Sequence, residues 1–407
     1  MALALTGLSV WDGRAERASP RGWTIRIESG RIAAVGPDPE LAADAREIPL
    51  DGCTAIPGLI DAHVHLTLDP KIIKPADQFR VPVGELEEAM VERARAMVRA
   101  GITTARDLGG GEWFELALRD RIAKGEVPGP RLLCAGQPLT SPGGHCHFWG
   151  GEFRSPDEIG LVIRRQVERG ADWIKVMATG GVMTAGTRIR DLQVEPDDLR
   201  RIVELAGEAG RSVAAHCHGT PGIEAAARAG VRTLEHCSFV GTGGFGSGFD
   251  RGVVRLLASK APGGSGVSGQ DLWVSPTVNA NWALRSRKDG NPTAFGMRMA
   301  RVLRAQREAG VRFIASTDAG IPGVAHHRLP EALAVFAWMA GMTPVEVLRT
   351  ATSESAAALG IADVTGALEP DLAADVLVLE ASPLDDLDTL RVPRLVVARG
   401  EVVALDG

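Results

Sequence analysis

Several features are absent from the sequence, and each absence excludes a class of function. It has no tyrosine, so no tyrosine hydroxyl can act as an acid or hold a substrate. No apolar run reaches the roughly 18 residues that a membrane span needs, and residues 1–15 lack the basic start of a secretory signal. The net charge is −6 and there is no basic stripe, which argues against a surface for nucleic acid. We therefore expect a cytoplasmic protein that binds neither membranes nor nucleic acid.

The five cysteines form an odd set without any Cys-x-x-Cys spacing. In a chain without a secretory signal, buried reduced thiols are expected rather than disulfides. The composition, 45% hydrophobic and 24% charged, is that of an ordinary globular protein and not of a disordered one. With 407 residues, the chain is long enough for a (β/α)8 barrel and a smaller domain.

Both ends of the chain carry short strand patterns punctuated by glycine and proline. Alternating apolar and polar residues predict strands at 3–10, 23–28, 31–36 and within 47–56, and again at 374–380 and 394–405. An isolated hairpin is only marginally stable. We therefore predict that residues 1–57 and 368–407 pair into one composite β-sandwich domain.

The intervening residues 58–367 alternate between strand and helix patterns. The strand candidates are short and apolar, at 58–66, 102–109, 131–140, 173–181, 212–219, 233–239, 273–280 and 313–320. Helical patterns separate them, for example at 85–100, 156–170, 196–210 and 295–310, and several stop at a glycine just before the next strand. Eight such units predict an α/β fold, a (β/α)8 TIM barrel.

Two glycine-rich stretches, 241–250 and 261–271, interrupt this series. Neither is followed by the Gly-Lys-Ser/Thr of a phosphate-binding loop. We interpret both as flexible loops at the barrel rim, with a mobile active-site lid as the alternative.

Three residues of the barrel strands are chemically unusual. His63 and His65 lie two residues apart, so their side chains point to the same side and can bind one metal ion, although such a pair alone is weak evidence. Lys175 lies within an apolar strand, where an unpaired ammonium would cost several kcal/mol. Either a carboxylate pairs with Lys175, or burial lowers its pKa and leaves a neutral amine that can capture carbon dioxide as a carbamate.

Three further donors end later strands. His216 and His236 end two successive strands, and Asp318 ends the last one. With the first three residues they occupy strands 1, 4, 5, 6 and 8 of the predicted barrel, and TIM-barrel active sites are built at the C-terminal strand ends. Each residue taken singly has a structural explanation, but the set of six predicts a metal centre.

The segments that carry these donors resemble the amidohydrolase superfamily over essentially the whole chain. They read PGLIDAHVHL, IKVMATGG, AAHCHG, LEHCSF and STDAG. Within the superfamily, the chain is most similar to the branch that contains imidazolonepropionase-like proteins and the metal-dependent prolidases, which are Xaa-Pro dipeptidases. The bracketing β-sandwich is typical of this superfamily as well.

The resemblance implies a centre with two divalent metal ions, usually Zn²⁺. His63 and His65 would bind the first ion, and His216 and His236 the second. Lys175 would carry a carbamate derived from carbon dioxide and bridge both ions.

The resemblance also implies the reaction. Asp318 would bind the first ion and serve as general base and acid. A hydroxide that bridges the two metals would attack an amide carbonyl, and Asp318 would return the proton to the leaving nitrogen.

Candidate substrate contacts lie in loops after the strands. The resemblance implies that His145 contacts the substrate or its oxyanion, whereas His147 either reaches the site or packs within the loop. His218 should face the same way as His216, and a protonated His218 can bind a carboxylate. Some dipeptidases of the branch have a tyrosine there, so this departure puts a strict dipeptidase assignment in doubt. Arg188 either binds an anionic substrate group or is a solvated loop charge.

The sequence thus predicts a hydrolase of carbon–nitrogen bonds that cleaves a small-molecule amide, most simply a dipeptide or an N-acyl amino acid in prolidase-like fashion. The alternatives are a cyclic amide hydrolase, as imidazolonepropionase is, and a hydrolase of xenobiotic amides or carbamates. A non-catalytic binding barrel is the alternative from another class, and the six intact donors argue against it. The sequence leaves open whether the chain forms a homo-oligomer.

Overall fold

A computed structural model describes residues 2–264, 271–288 and 291–405, which form an α/β fold. Residues 265–270 of the predicted glycine-rich stretch 261–271 lie outside the described residues.

The strands, numbered in chain order, are β1 (Leu3–Val10), β2 (Trp23–Glu28), β3 (Arg31–Gly36), β4 (Arg46–Pro49), β5 (Thr54–Pro57), β6 (Leu59–Val64), β7 (Ile102–Asp107), β8 (Arg131–Cys134), β9 (Trp173–Met177), β10 (Ser212–Gly219), β11 (Thr233–Val240), β12 (Trp273–Ser275), β13 (Arg287–Lys288), β14 (Asn291–Pro292), β15 (Val376–Leu379), β16 (Leu395–Ala398) and β17 (Glu401–Val403).

The α-helices are α1 (Pro75–Gln78), α2 (Val83–Arg99), α3 (Phe114–Ala123), α4 (Pro156–Glu168), α5 (Pro196–Glu208), α6 (Thr220–Ala229), α7 (Arg251–Lys260), α8 (Trp282–Ser286), α9 (Ala294–Glu308), α10 (Leu329–Ala340), α11 (Pro344–Thr350) and α12 (Ser353–Leu359).

The helices between the strands follow the sequence signals closely, as α5 illustrates. Pro196 occupies the first turn, where a missing N–H has no consequence. Leu199, Ile202 and Ala206 form its buried face at helical spacing. Gly210, with a φ of 68°, lies just beyond its end. The predicted helix at 196–210 is confirmed to within two residues.

The central strands are parallel and form two sheets. One contains β6, β7 and β8, and the other contains β9 to β12. Isolated parallel bridges link the edges of these sheets: Leu139 with Val176, Val274 with Phe313, and Val64 with Ala319. The C-terminal ends of the strands therefore meet on one side, where the candidate site lies.

Several central strands end earlier than their sequence pattern predicts. β8 ends at Cys134 instead of 140, and β12 ends at Ser275 instead of 280. The segment 313–320 makes bridges but contains no regular strand. Thr277 and Asp318 have φ angles of 51° and 59°, and a left-handed backbone cannot continue a strand.

The two ends of the chain share one mixed sheet of eight strands. Its order is β17-β16-β15-β5-β1-β2-β3, with β4 paired to β1. β5 pairs antiparallel with β15, which joins the N-terminal strands to the C-terminal ones. Leu5, Ile25, Val376 and Val397 belong to a core cluster of this sheet that is separate from the core of the parallel strands.

All five cysteines are buried and unpaired, which confirms the expectation of reduced thiols. Over the described ranges, no helix combines the length and apolar character that a membrane crossing requires.

Candidate metal centre

Three side chains converge where β6 ends. His63 lies in β6 and His65 directly after it, and strand alternation turns both rings to the same side. The Nε2 atoms of the two rings are 3.2 Å apart. Oδ1 of Asp318 lies 3.3 Å from Nε2 of His63 and 3.5 Å from Nε2 of His65. These residues form the first cluster.

Hydrogen bonds on the far side of each ring determine which nitrogen carries its proton. Nδ1 of His63 lies 2.9 Å from Oε2 of Glu235, and Nδ1 of His65 lies 2.7 Å from the carbonyl oxygen of Gly109. A carboxylate oxygen and a carbonyl oxygen can only accept a hydrogen bond, so Nδ1 of each ring carries the proton and donates it. Burial lowers the pKa of both imidazoles, and the neutral rings therefore direct Nε2 lone pairs at each other.

The first cluster therefore fits a cation. Two imidazole lone pairs and a carboxylate oxygen within 3.5 Å of one another repel unless a positive ion lies between them. Imidazole nitrogen and carboxylate oxygen are also the ligands that zinc prefers.

A second cluster consists of His216 and His218 on β10 and His236 on β11, all buried. Their possible ligand atoms lie within 4.8 Å of one another. Nε2 of His216 donates to the carbonyl oxygen of Gly180 at 3.1 Å, which leaves its Nδ1 lone pair free. The rings of His216 and His236 are inclined at 73°, an angle at which two lone pairs can converge.

An irregular backbone brings neighbouring residues of β11 to the same centre. His236 has a φ of 68° and Cys237 a φ of 44°, which breaks the strand's alternation. Glu235 therefore faces His63 while His236 faces the second cluster. Nδ1 of His236 lies 2.8 Å from Oγ1 of Thr277.

Lys175 lies in the middle of β9 rather than at its end, and it is fully buried. Among the residues that the structure describes, its Nζ has no hydrogen-bond partner. Burial lowers the pKa of this amine to about 8, and the positive charge of Arg106 also lowers it, although Glu235 opposes the shift. A lowered pKa increases the fraction of neutral amine, and a neutral amine is the form that can react with carbon dioxide to give a carbamate.

A buried ion pair supports the first cluster. Nη2 of Arg106 lies 2.8 Å from Oε1 of Glu235, and both side chains are inaccessible to solvent. Arg106 also donates to the carbonyl oxygen of Ala62 and stacks over Trp173 at 4.4 Å. Although burial alone would raise it, the Arg106 charge holds the pKa of Glu235 well below its ordinary value. Glu235 therefore stays ionised beside His63.

A second buried carboxyl group fixes Asp318. Asp61 accepts hydrogen bonds from the hydroxyl of Thr317 at 2.6 Å and from its N–H at 3.1 Å. The N–H of Asp318 donates to the carbonyl oxygen of His63 at 2.9 Å. Asp61, Arg106 and Glu235 were not predicted from the sequence, although each is a charged residue inside an apolar strand pattern, which was the available signal.

Both clusters lie in a cavity of about 460 Å³ that Lys175 and His145 also line. Trp149, Phe245 and Trp282 contribute an apolar wall. Polar groups that the sequence analysis did not single out also line it, namely Asn279, Asn281 and Arg285.

The ring of His145 contacts the Thr184 hydroxyl through Nδ1 and the Cys146 thiol through Nε2, at 3.6 Å from Sγ. The N–H of Cys146 donates to Oγ1 of Thr184 at 2.9 Å, so the Thr184 hydroxyl can donate to Nδ1 of His145 at 3.1 Å. With the hydroxyl as donor, we assign the ring proton to Nε2. Burial lowers the pKa of His145 to about 4, with a further contribution from Lys175, so the ring is a neutral donor near pH 7.

Two predicted substrate contacts lie away from this cavity. His147 packs against Phe148, with ring centroids 5.6 Å apart, and is not among the described residues that line the cavity. Arg188 is 73% exposed and pairs with Asp191 beside a shallow surface depression. The structure therefore brings the six predicted metal donors, His145 and His218 together, but not these two residues.

The chain is similar to several known proteins. A model of the amidohydrolase family matches residues 54–403. The ochratoxinase of Aspergillus niger is 28% identical over 375 residues, which cover 84% of this chain and 73% of that protein. The imidazolonepropionase of Geobacillus kaustophilus is 26% identical over 400 residues, which cover 87% of this chain and 83% of that protein.

A solved structure is similar over nearly the whole chain. The crystal structure of a candidate prolidase from Bifidobacterium longum matches with a TM-score of 0.79 and 28% identity, covering 99% of this chain and 94% of that chain. The fold described above is accordingly of the TIM-barrel-like α/β type.

Proposed function

The chain belongs to the amidohydrolase family and is a hydrolase of carbon–nitrogen bonds, and from this premise we propose that it cleaves a dipeptide or an N-acyl amino acid at a binuclear metal centre. It is similar to the imidazolonepropionase and prolidase branch of that family. The observation that carries the proposal is the unpaired amine of Lys175 beside two clusters of converging ligand atoms.

We also propose the finer architecture. The eight parallel segments would close into a (β/α)8 barrel over residues 58–367, which the three bridges between the sheet edges support. Residues 1–57 and 368–407 would fold into a composite β-sandwich, which their common sheet and separate core cluster support.

The donor set suits two zinc ions. His63, His65 and Asp318 would hold the first, His216 and His236 the second, and Lys175 as a carbamate would bridge them. Bound divalent ions would supply Lewis acidity and lower the pKa of a coordinated water molecule.

We assign His218 to the substrate rather than to the metal. Its ring lies 4.3 Å from that of His236 with only 15° between the ring planes. The lone pairs of stacked rings lie in two separate, nearly parallel planes and do not meet at one ion, whereas the 73° between His216 and His236 allows convergence. Ser238 holds Nδ1 of His218 at 2.7 Å and leaves Nε2 for a substrate group.

Asp318 and His145 would carry out the proton and charge chemistry. Burial raises the pKa of the Asp318 carboxyl, so that this group can take up a proton and deliver it to the leaving nitrogen. The Nε2–H of His145 would donate to the carbonyl oxygen as negative charge develops there.

The compartment follows from the thiols. Five buried, unpaired cysteines support a reducing compartment, and we propose the cytoplasm.

Metal analysis tests the centre. We expect the purified protein to bind about two zinc ions per chain. Lys175→Met should lose at least half of the metal and nearly all activity, whereas Lys124→Met, on the exposed surface, should lose neither. A wild-type protein that binds no divalent ion and is indifferent to chelators would refute the metal centre.

A substrate panel tests the reaction. Xaa-Pro dipeptides, Xaa-Arg dipeptides and N-acyl amino acids would be assayed beside lactams and other cyclic amides. Cleavage of linear, carboxylate-bearing amides is the expected result. Cleavage of the cyclic amides alone would replace the dipeptidase proposal with an imidazolonepropionase-like activity.

A further inference from the structure

Among the residues that the structure describes, one arginine lines the cavity. Arg285 lies in the short helix α8, which follows β12 and contributes Trp282 to the apolar wall. The described lining contains two side chains of the lysine and arginine type, Arg285 and Lys175. Lys175 lies fully buried beside the clusters. Arg285 is exposed. It therefore places a permanent positive charge towards the mouth of the cavity.

Aromatic rings hold this guanidinium group. Its Cζ lies 4.5 Å from the ring centroid of Phe295 and 5.7 Å from that of Phe245. The two phenylalanine rings contact each other with centroids 5.8 Å apart. The N–H groups of a guanidinium lie in its own plane, so stacking of its face on a ring leaves them accessible. They can then bind a carboxylate through two parallel hydrogen bonds.

No carboxylate occupies that position within the part of the chain that the structure describes: Arg285 makes no ion pair there. Many other arginines of the chain do pair, as Arg328 does with Glu331. The stacked guanidinium of Arg285 thus has hydrogen-bonding capacity that remains available to a ligand in the cavity.

The surroundings of Arg285 indicate what that ligand is. Phe245 lies between Arg285 and the second cluster, with its ring centroid 5.9 Å from that of His218. Ile73 and Val182 also line the cavity and are 69% and 81% exposed. The cavity therefore offers an apolar surface with one fixed positive charge, one aromatic ring away from the candidate metal centre.

We propose that Arg285 binds the free carboxylate of the substrate and thereby selects amides that carry both an apolar group and an anionic end. This inference rests on the proposed function, because it identifies the class of substrate that the same site accepts. Neutral amides and cyclic amides without a carboxylate would lack this contact.

The test uses two ligands that the enzyme cannot cleave. N-methylsulfonyl-L-phenylalanine has a carboxylate, and N-methylsulfonyl-L-phenylalaninol replaces it with an alcohol. Calorimetric titration of the zinc-loaded wild type should show at least about tenfold tighter binding of the acid, as a charge-assisted bidentate contact provides. Arg285→Met should abolish this preference without weakening the binding of the alcohol.

Arg287→Met is the matched control. Arg287 is two residues away, is exposed and also stacks on an aromatic ring, that of Trp338 at 4.3 Å, but it does not line the cavity. Its variant should keep the full preference for the acid. Raised salt should shrink the preference in the wild type, because the arginine is exposed, whereas a purely structural role would give no such dependence.

The outcomes separate this inference from the proposed function. Equal binding of acid and alcohol by the wild type, or a preference that survives in Arg285→Met, overturns the role of Arg285. Binding is scored without turnover, so a wild type that prefers the acid through Arg285 yet cleaves no amide would overturn the proposed function only.

Discussion

At the scale of single residues, the candidate centre depends on groups that form hydrogen bonds with the ring nitrogens pointing away from it. Glu235 and Gly109 engage Nδ1 of the two histidines in the first cluster, so that Nε2 of each ring keeps the lone pair that a metal ion would need. Arg106 in turn keeps Glu235 ionised. Such outer groups affect the affinity for metal although they do not touch it.

Glu235→Gln should therefore weaken metal binding. The amide keeps the size of the side chain but has no negative charge to hold the Nδ1 proton of His63 and to pair with Arg106. We expect the zinc affinity to fall by about 10- to 100-fold in competition with a chromophoric chelator. Glu208→Gln, on the exposed end of α5, is the control, and equal affinities in the two variants would contradict the role of Glu235.

The candidate donors were easier to recognise in the sequence than the groups that support them. His63, His65, Lys175, His216, His236 and Asp318 stood out because each residue type has a known chemistry with metals and each lies within or directly after an apolar strand pattern. The partners Glu235 and Arg106 are 129 residues apart, and no local pattern records that they meet. His147 and Arg188 lie in loops, where no periodicity fixes the direction of a side chain.

At the scale of elements, the loops after the strands shape the cavity through close backbone approaches. Gly181, four residues beyond the end of β9, lies against the ring of His145. A Cβ atom at this glycine would lie 2.2 Å from Nε2 of His145, well inside van der Waals contact.

Gly181→Ala should therefore displace His145. We expect kcat/KM to fall by about tenfold or more while the metal content stays unchanged, because His145 belongs to neither cluster. In Gly207→Ala, by contrast, the new Cβ meets open space within α5. This control should keep full activity and gain about 0.5–1 kcal/mol of stability. A loss of metal in Gly181→Ala would contradict this account of the loop.

Helices and terminal strands were more predictable than the central strand ends. The strands at 3–10, 23–28 and 31–36 have the predicted bounds, since their alternation and turns are local signals. The predicted strand at 273–280 ends at Ser275, and Thr277 then adopts a left-handed backbone to support His236. The chemistry of the site imposes such conformations, and hydrophobic patterns do not report them.

At the scale of the whole molecule, buried carboxyl groups make folding stability depend on pH. Glu115 in α3 is inaccessible to solvent, and its burial raises the pKa of this carboxyl to about 8, with a further contribution from Asp107. In the unfolded chain the group has its ordinary pKa near 4.5. The folded state therefore holds the proton more tightly than the unfolded state does.

The sign of the effect follows from this difference. The stabilisation by protonated Glu115 is complete below about pH 4.5 and is lost as the pH rises towards 8, with a slope of up to about 1.4 kcal/mol per pH unit. Glu115→Gln should flatten this decline in the metal-free protein, measured by urea unfolding at pH 5, 6.5 and 8. The exposed Glu112→Gln should keep the wild-type slope, and identical slopes in both variants would exclude Glu115 as the source.

The sheet that joins the two ends of the chain also bears on how the protein is made. Arg31 donates a hydrogen bond to the carbonyl oxygen of Asp371, which lies 340 residues further along the chain. During synthesis, β5 has no partner strand on the edge where β15 pairs until β15 has been made. Ribosomes add roughly 5–20 residues per second, so the N-terminal strands stay incomplete for tens of seconds while the parallel strands emerge. During that interval β5 lacks its C-terminal partner, and the pairing of β5 with β15, a contact of high sequence separation, cannot form before β15 has been synthesised.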